Sequence, residues 1–281
     1  MPELPEVETI RRGLEKWIVR KKIARVEVWN AKSFLGETKE VVGAKIEEIG
    51  RRGKALLVKL DNGRTMMVHL RMTGQMIFVG EERFAGGHPN ENFVEELPNK
   101  QTRVIFMFTS GEKLFFNDQR KFGFIKVLKD EEVEEESFLR ALGKEPWEMT
   151  GRELYEKLEK KKMVVKAALL DQKIVAGLGN IYADETLYDA GIAPTRKCEE
   201  ISEAEAEQII CSARKVMEKS LESGGSTIKN YVKADGTRGD YLDLFAKVYG
   251  REGKKCEKCG GEISKTRVAG RGTYYCRRCQ K

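Results

Sequence analysis

The chain has 281 residues, a length that suits two or three folding units. Hydrophobic residues make up 40% and charged residues 35%, with a mean hydropathy of −0.51, which describes a real core under a heavily charged surface. No run approaches the roughly 18 apolar residues of a membrane helix, and the acidic, proline-broken start is not that of a signal peptide.

A cytoplasmic protein is therefore expected, with reduced thiols, so the six cysteines read as metal ligands or core residues rather than disulfides. Net charge is +7, and residues 251–281, with ten Lys/Arg against three Asp/Glu, carry the whole excess. A basic segment of that density faces a polyanion.

In chain order, residues 6–18 carry Val7, Ile10, Leu14, Trp17 and Ile18 at helical spacing, with Pro5 suited to the first turn. From about 23 to 128 the pattern is strand-like. The segments 23–29, 55–60, 65–70, 75–79, 103–108, 113–116 and 123–128 are short and rich in β-formers. Turn signals such as Asp61-Asn62-Gly63 and Ser110-Gly111 separate them. Many short strands without interleaved helices predict an antiparallel sandwich or barrel.

The acidic run 130–136 marks a domain boundary, and 151–171, 181–190 and 202–223 read as helices. An irregular polar stretch then runs to about 243. The expected organisation is α+β and multidomain: an antiparallel β-sandwich with a flanking helix over 1–130, a helical domain over 131–243 and a ribbon over 244–281.

The ribbon is read from Cys256-x2-Cys259 and Cys276-x2-Cys279, sixteen residues apart. That spacing lets two hairpin knuckles converge four thiolates on one Zn2+. Four protein ligands leave no position for water, so the ion is structural. Cys198 and Cys211 stand outside the motif. Arg267, Arg271, Arg277 and Arg278 around the ribbon favour phosphate binding.

Met1 precedes a proline, a setting in which methionine is commonly removed. Pro2 would then present a secondary amine, which condenses with a sugar aldehyde carbon to give a cationic iminium, an electron sink. Glu3 and Glu6 stand beside it as proton donor or charge stabiliser. The same carboxylates read equally as ordinary capping ahead of a helix.

Five segments, spanning essentially the whole chain, resemble the formamidopyrimidine-DNA glycosylase family. They are Met1-Pro2-Glu3-Leu4-Pro5-Glu6-Val7-Glu8, His69-Leu70-Arg71-Met72-Thr73-Gly74, Asn117-Asp118-Gln119-Arg120-Lys121-Phe122-Gly123, Leu170-Asp171-Gln172 through Asp184-Glu185, and Gly270-Arg271-Gly272-Thr273-Tyr274-Tyr275-Cys276. The resemblance implies a helix-two-turn-helix in the middle domain. It implies an enzyme that removes oxidised purines, 8-oxoguanine and formamidopyrimidines, from duplex DNA and then cuts the strand by β,δ-elimination.

Residue by residue, Pro2 is the implied nucleophile and Glu3 the implied acid. Glu6 orders the site, Lys54 assists near the lesion, and Arg271 clamps phosphate. Met72, Arg120 and Phe122, with Lys121 between them, match the wedge that fills the gap left by a flipped base. Asn180 reads as an N-cap whose turn also faces a phosphate. Lys162 and Lys166 resemble phosphate contacts, and the stretch 224–241 resembles a loop closing over the flipped purine.

From the residues alone, Met72 and Phe122 also read as core, and Lys54 as an exposed charge on a strand end. Where many relatives carry Lys-His-x-His, this chain has Lys100-Gln101-Thr102-Arg103, so Arg103 stands where a histidine would meet phosphate. His69 reads as structural, and His88 carries no assignment. The expected partner is duplex DNA with oxidised bases or abasic sites, met by a monomer on a prokaryotic nucleoid. The alternatives are an endonuclease VIII-like enzyme for oxidised pyrimidines and a non-catalytic damage binder.

Overall fold

The computed structural model describes residues 1–88, 95–222 and 246–281. The expected purine-capping loop, 224–241, lies outside the described residues. The chain divides into two compact units, one running Met1–Arg140, the other starting at Ala141 and including the C-terminal residues.

The first unit opens with α1, Leu4–Ile18. Pro5 lies in its first turn, where a missing N–H costs no helical bond. Val7, Ile10, Leu14 and Ile18 are buried as the spacing predicts. Among the described residues ten strands follow: β1 Ile23–Val28, β2 Phe34–Leu35, β3 Ile46–Arg52, β4 Ala55–Leu60, β5 Arg64–His69, β6 Gly74–Val79, β7 Arg83–Gly87, β8 Thr102–Phe108, β9 Lys113–Asp118 and β10 Phe124–Lys129.

They form two five-stranded sheets, ordered β1-β8-β9-β6-β7 and β2-β10-β5-β4-β3. Every pairing is antiparallel except the parallel β10–β2. Val58, Val68 and Ile125 of one sheet share a single core cluster with Met76, Phe106 and Phe116 of the other. This is the sandwich the sequence predicts. Helix α1 lies on β7 and β3. Gly13 allows that approach, because a Cβ there would fall 2.1 Å from the Phe84 ring.

The strands the sequence reading missed are β2, β3 and β7. All three are sheet edges: β2 is only two residues long, and in β3 and β7 charge and glycine replace the apolar alternation of a central strand. The first unit also runs ten residues past the expected boundary at 130. The reason is α2, Ser137–Arg140. Glu136 accepts from the amides of Phe138 (2.6 Å) and Leu139 (3.1 Å), and Phe138 lies edge-on to His69, with ring centroids 5.1 Å apart.

In the second unit the helix expected over 151–171 is broken into α3 Gly151–Leu158 and α4 Val165–Leu170. Tertiary pairing wins over propensity in between: Val165 N donates to Arg196 O (2.8 Å) and Cys198 N to Met163 O (2.9 Å). Then come α5 Asn180–Ala190, α6 Glu203–Glu222 and a hairpin of β11 Ile263–Val268 and β12 Arg271–Cys276.

The ribbon belongs to the same compact unit as the helices. Glu185 on α5, 2% exposed, accepts hydrogen bonds of 2.8 to 2.9 Å from the amides of Lys247, Val248 and Tyr249. Removing that acceptor strands three amides. A Glu185→Ala variant is expected to lose at least about 3 kcal/mol of unfolding free energy in urea, and wild-type stability would refute this role.

Candidate active site and metal centre

The chain tip is built on the start of α1. Glu3 is its N-cap residue, and its backbone N–H donates to Glu6 Oε2 at 2.7 Å. Pro2 is buried, and Glu3 and Glu6 are 3% and 1% exposed. Lys54, 5% exposed, comes from the two-residue turn between β3 and β4. Gly53 takes the left-handed position there, at φ 55°. Arg51 fixes that turn, donating to Gly53 O (2.9 Å) and pairing with Glu8 of α1 (3.2 Å).

These groups meet electrostatically at the N-terminal amine. Burial holds the amine below the ordinary α-amine range, the carboxylates of Glu3 and Glu6 oppose the shift, and Lys54 adds to it. The Met1 amine and the carboxylates of Glu3 and Glu6 thus share one small volume with the Lys54 ammonium. Lys54 is therefore no exposed strand-end charge.

His69 at the end of β5 is buried and held neutral. Desolvation first, then Arg71 and Lys54, press its pKa down to about 3. Its Nδ1 accepts from Arg71 N at 3.0 Å, a structural role as the sequence predicts. His88 was not assigned from sequence. Its pKa is lowered, chiefly by burial and then by the terminal amine, with Asp118 opposing the shift. No motif signals it.

The residues expected to form a wedge, Met72 and Arg120 to Phe122, lie on two loops tied by Asp118, which is fully buried. Thr73, next to Met72, donates to Asp118 Oδ1. The amides of Arg120 and Gly123 donate to Oδ1 (3.1 Å) and Oδ2 (2.7 Å). Arg71 and Lys121 adopt left-handed φ of 51° and 59°. Non-glycine residues take that conformation only when their surroundings enforce it. Phe122 is 55% exposed, with the Arg120 guanidinium 4.9 Å over its ring, and Met72 is half-buried. The core reading of Phe122 is thereby overturned.

Three expectations need correction. Arg103 is 7% exposed, with Nε and Nη1 donating to the carbonyls of Asp118, Lys100 and Thr102, so it braces the strand beneath the wedge instead of reaching for phosphate. Lys166 is fully buried, paired with Asp184 at 2.6 Å and donating to Thr273 Oγ1 at 2.7 Å. It is neither solvated nor able to meet a phosphate. Asn180 is the first helical residue of α5, not its cap, which is Gly179. Its Nδ2 donates to Gly272 O at 3.0 Å, beside Arg271.

Arg271 itself is exposed, opening β12 after a two-residue turn in which Ala269 and Gly270 both have positive φ (48° and 73°). Lys162 is exposed, on the segment between α3 and α4 rather than on a helix.

The four ribbon sulfurs lie within 4.8 Å of one another, with Cys256–Cys279 at 3.7 Å and Cys259–Cys276 at 3.5 Å. A tetrahedral Zn2+ with Zn–S bonds of ~2.3 Å needs sulfur separations of ~3.8 Å, so the set fits the ion. Cys198 is buried and Cys211 exposed, both apart from this cluster. Among the described residues no helix is long and apolar enough to cross a membrane.

Comparison with known proteins agrees with this geometry. The chain matches the formamidopyrimidine-DNA glycosylase N-terminal domain over residues 1–125, the H2TH domain of the same glycosylases over 142–232, and the zinc finger found in FPG and IleRS over 253–281. It is 42% identical to the formamidopyrimidine-DNA glycosylase of Bacillus licheniformis, with each chain covered in full.

Among solved structures it resembles a Lactococcus lactis Fpg mutant in complex with Fapy-dG-containing DNA (TM-score 0.87, 34% identity, both chains covered in full). It also resembles MutM in complex with DNA containing carbocyclic 8-oxo-G (TM-score 0.85, 34% identity, both chains covered in full). The chain belongs to the formamidopyrimidine-DNA glycosylase family, and its ribbon holds one structural zinc ion.

Two outcomes follow from the site. Native His69 stays neutral while unfolded histidine protonates below pH ~6.5, so acid favours the unfolded chain by up to about 1.4 kcal/mol per pH unit in that range. A His69→Gln variant should lose that part of the acid-side slope in urea titrations, and an unchanged slope would count against the assignment. In Asp118→Ala the amides of Arg120 and Gly123 should exchange hydrogen faster while that of Phe116 keeps its protection. Equal protection in wild type and variant would show that Asp118 does not hold the loop.

Proposed function

We propose that the protein excises oxidised purines, formamidopyrimidines and 8-oxoguanine among them, from duplex DNA and then cleaves the strand at the resulting site. The observation that carries this reading is the head of α1, where Pro2, whose nitrogen becomes the chain's amine once Met1 is removed, is buried beside the buried Glu3 and Glu6, with Lys54 facing the same end. The relatives act as glycosylases by name, and the similar solved structures hold Fapy-dG and 8-oxo-G DNA.

Removal of Met1 turns the Pro2 nitrogen from an amide into a secondary amine. Its lone pair attacks C1′ of the damaged nucleotide as the C1′–N bond to the base breaks. Glu3 delivers a proton to assist base departure and opening of the sugar ring. The iminium left on Pro2 acidifies the neighbouring C–H, so the 3′ and then the 5′ phosphate leave by β- and δ-elimination.

Glu6 holds the backbone of Glu3 in place, and Lys54 supplies positive charge near the lesion. Met72, Arg120 and Phe122 fill the stack behind the flipped base, and Arg271 and Asn180 grip phosphates. The zinc ion stiffens the ribbon and takes no part in the bond changes. A cytosolic location on the nucleoid goes with this substrate.

The decisive test is borohydride trapping on an 8-oxoguanine duplex, followed by intact mass. The adduct should weigh as the chain without Met1 plus the attached DNA remnant, and Pro2→Gly should trap poorly. Glu3→Gln should slow base loss by about 10²–10⁴-fold yet still trap on a ready-made abasic site. Full-rate cleavage by protein that retains Met1 would falsify the Pro2 mechanism. Faster excision of thymine glycol than of 8-oxoguanine would move the substrate to oxidised pyrimidines.

A further inference from the structure

Position 188, on the last turns of α5, carries a tyrosine buried to 3% exposure against the ribbon. It clusters with Cys256, Cys276, Val248 and Ile263. Its hydroxyl lies 3.2 Å from the Sγ of Cys256. A zinc-bound cysteine is a thiolate without a proton, so in the metal-loaded protein the hydroxyl is the donor and the sulfur the acceptor. The same sulfur is faced by the backbone amides of Lys258 and Cys259, the usual donors of a zinc knuckle.

The ring cannot easily turn away. Lys258, between the first two ligands, sits 4.5 Å over its face. The Lys258 ammonium also donates to the carbonyls of Tyr188 (3.0 Å) and Asp189 (3.1 Å) at the C-terminal end of α5, where the helix dipole favours a cation. Knuckle and helix thus grip each other, and the hydroxyl is aimed at one ligand.

We infer that Tyr188 is a positioning residue of the metal centre, whose hydroxyl hydrogen-bonds the Cys256 thiolate and thereby retards loss of zinc. A thiolate that accepts a hydrogen bond has its lone pair lowered in energy. The sulfur is held in place by a buried donor on α5 as well as by the metal, so a competing chelator displaces it less readily. Partners of this outer kind typically change metal affinity by 10- to 100-fold. The inference rests on the zinc site and is independent of which base the protein removes.

The test uses the full-length protein and Tyr188→Phe, which keeps the ring and removes only the hydroxyl. Zinc transfer to a chromogenic chelator should run about tenfold faster in the variant. In the Co2+-substituted protein the thiolate-to-metal charge-transfer band should move to longer wavelength, because an unbonded sulfur gives up its electron more readily. Lys258→Met loosens the grip on α5 but keeps the hydroxyl, so its band should stay in place.

Release within about twofold of wild type, or an unmoved band in Tyr188→Phe, overturns the proposal. So does a Lys258→Met variant that reproduces both effects, since docking alone would then explain them. Should Tyr188→Phe fail to fold, the 113Cd-substituted wild type decides. Scalar coupling between the Tyr188 hydroxyl proton and the metal supports the bond. Its absence, with the knuckle-amide couplings present, overturns it.

Discussion

Carboxylates are among the most water-seeking groups of a protein, and burying those of Glu3 and Glu6 with Pro2 at the head of α1 is the constraint on which the rest of this structure depends. The apolar stripe of α1 anchors the helix to the sandwich, and the residues just ahead of Leu4 are drawn in with it. Desolvation strips the amine of part of its basicity, while Glu3 and Glu6 keep the site from being simply hostile to charge. The result is a set of charged groups held at the helix start by packing rather than by a dedicated loop. The close approach of α1 to β7 is what makes this possible, so the core of the sandwich and the charged cluster at its edge share one origin.

The wedge loops show the opposite use of a rigid scaffold. Two non-glycine residues in left-handed conformations cost of order 1–3 kcal/mol each. The carboxylate of Asp118 offsets that cost by satisfying two backbone amides and a hydroxyl from both loops. What results is a large aromatic ring held in solvent, packed against the Arg120 guanidinium. The strain and the exposure lie on the same few residues, which marks the segment as built for contact.

In the second unit the polar face of α5 does the joining. Asn180, Asp184, Glu185 and Tyr188 each hold a different part of the C-terminal segment, through Gly272, Tyr274, the amides of residues 247–249 and Cys256. Lys166 from α4 completes the set by pairing with Asp184. A small ribbon cannot bury enough surface to orient itself. Zinc gives it a shape, and these buried polar contacts fix how that shape sits on the helices of its unit.

The sequence by itself determined the parts that rest on local pattern. The α1 stripe, the central strands, the four-cysteine knuckles and the Met1-Pro2-Glu3 tip are all carried by residue type at a fixed spacing. Edge strands β3 and β7 escaped because their charges and glycines mimic loops, and the break between α3 and α4 escaped because pairing with residues 196–198 overrides helix propensity.

Only the tertiary structure decided the roles of Lys166, Arg103 and Tyr188. A lysine on a helix looks the same in sequence whether it meets water, a phosphate or a buried aspartate. Which of these it meets depends on what a distant segment brings within 3 Å, and spacing along a chain does not encode that distance.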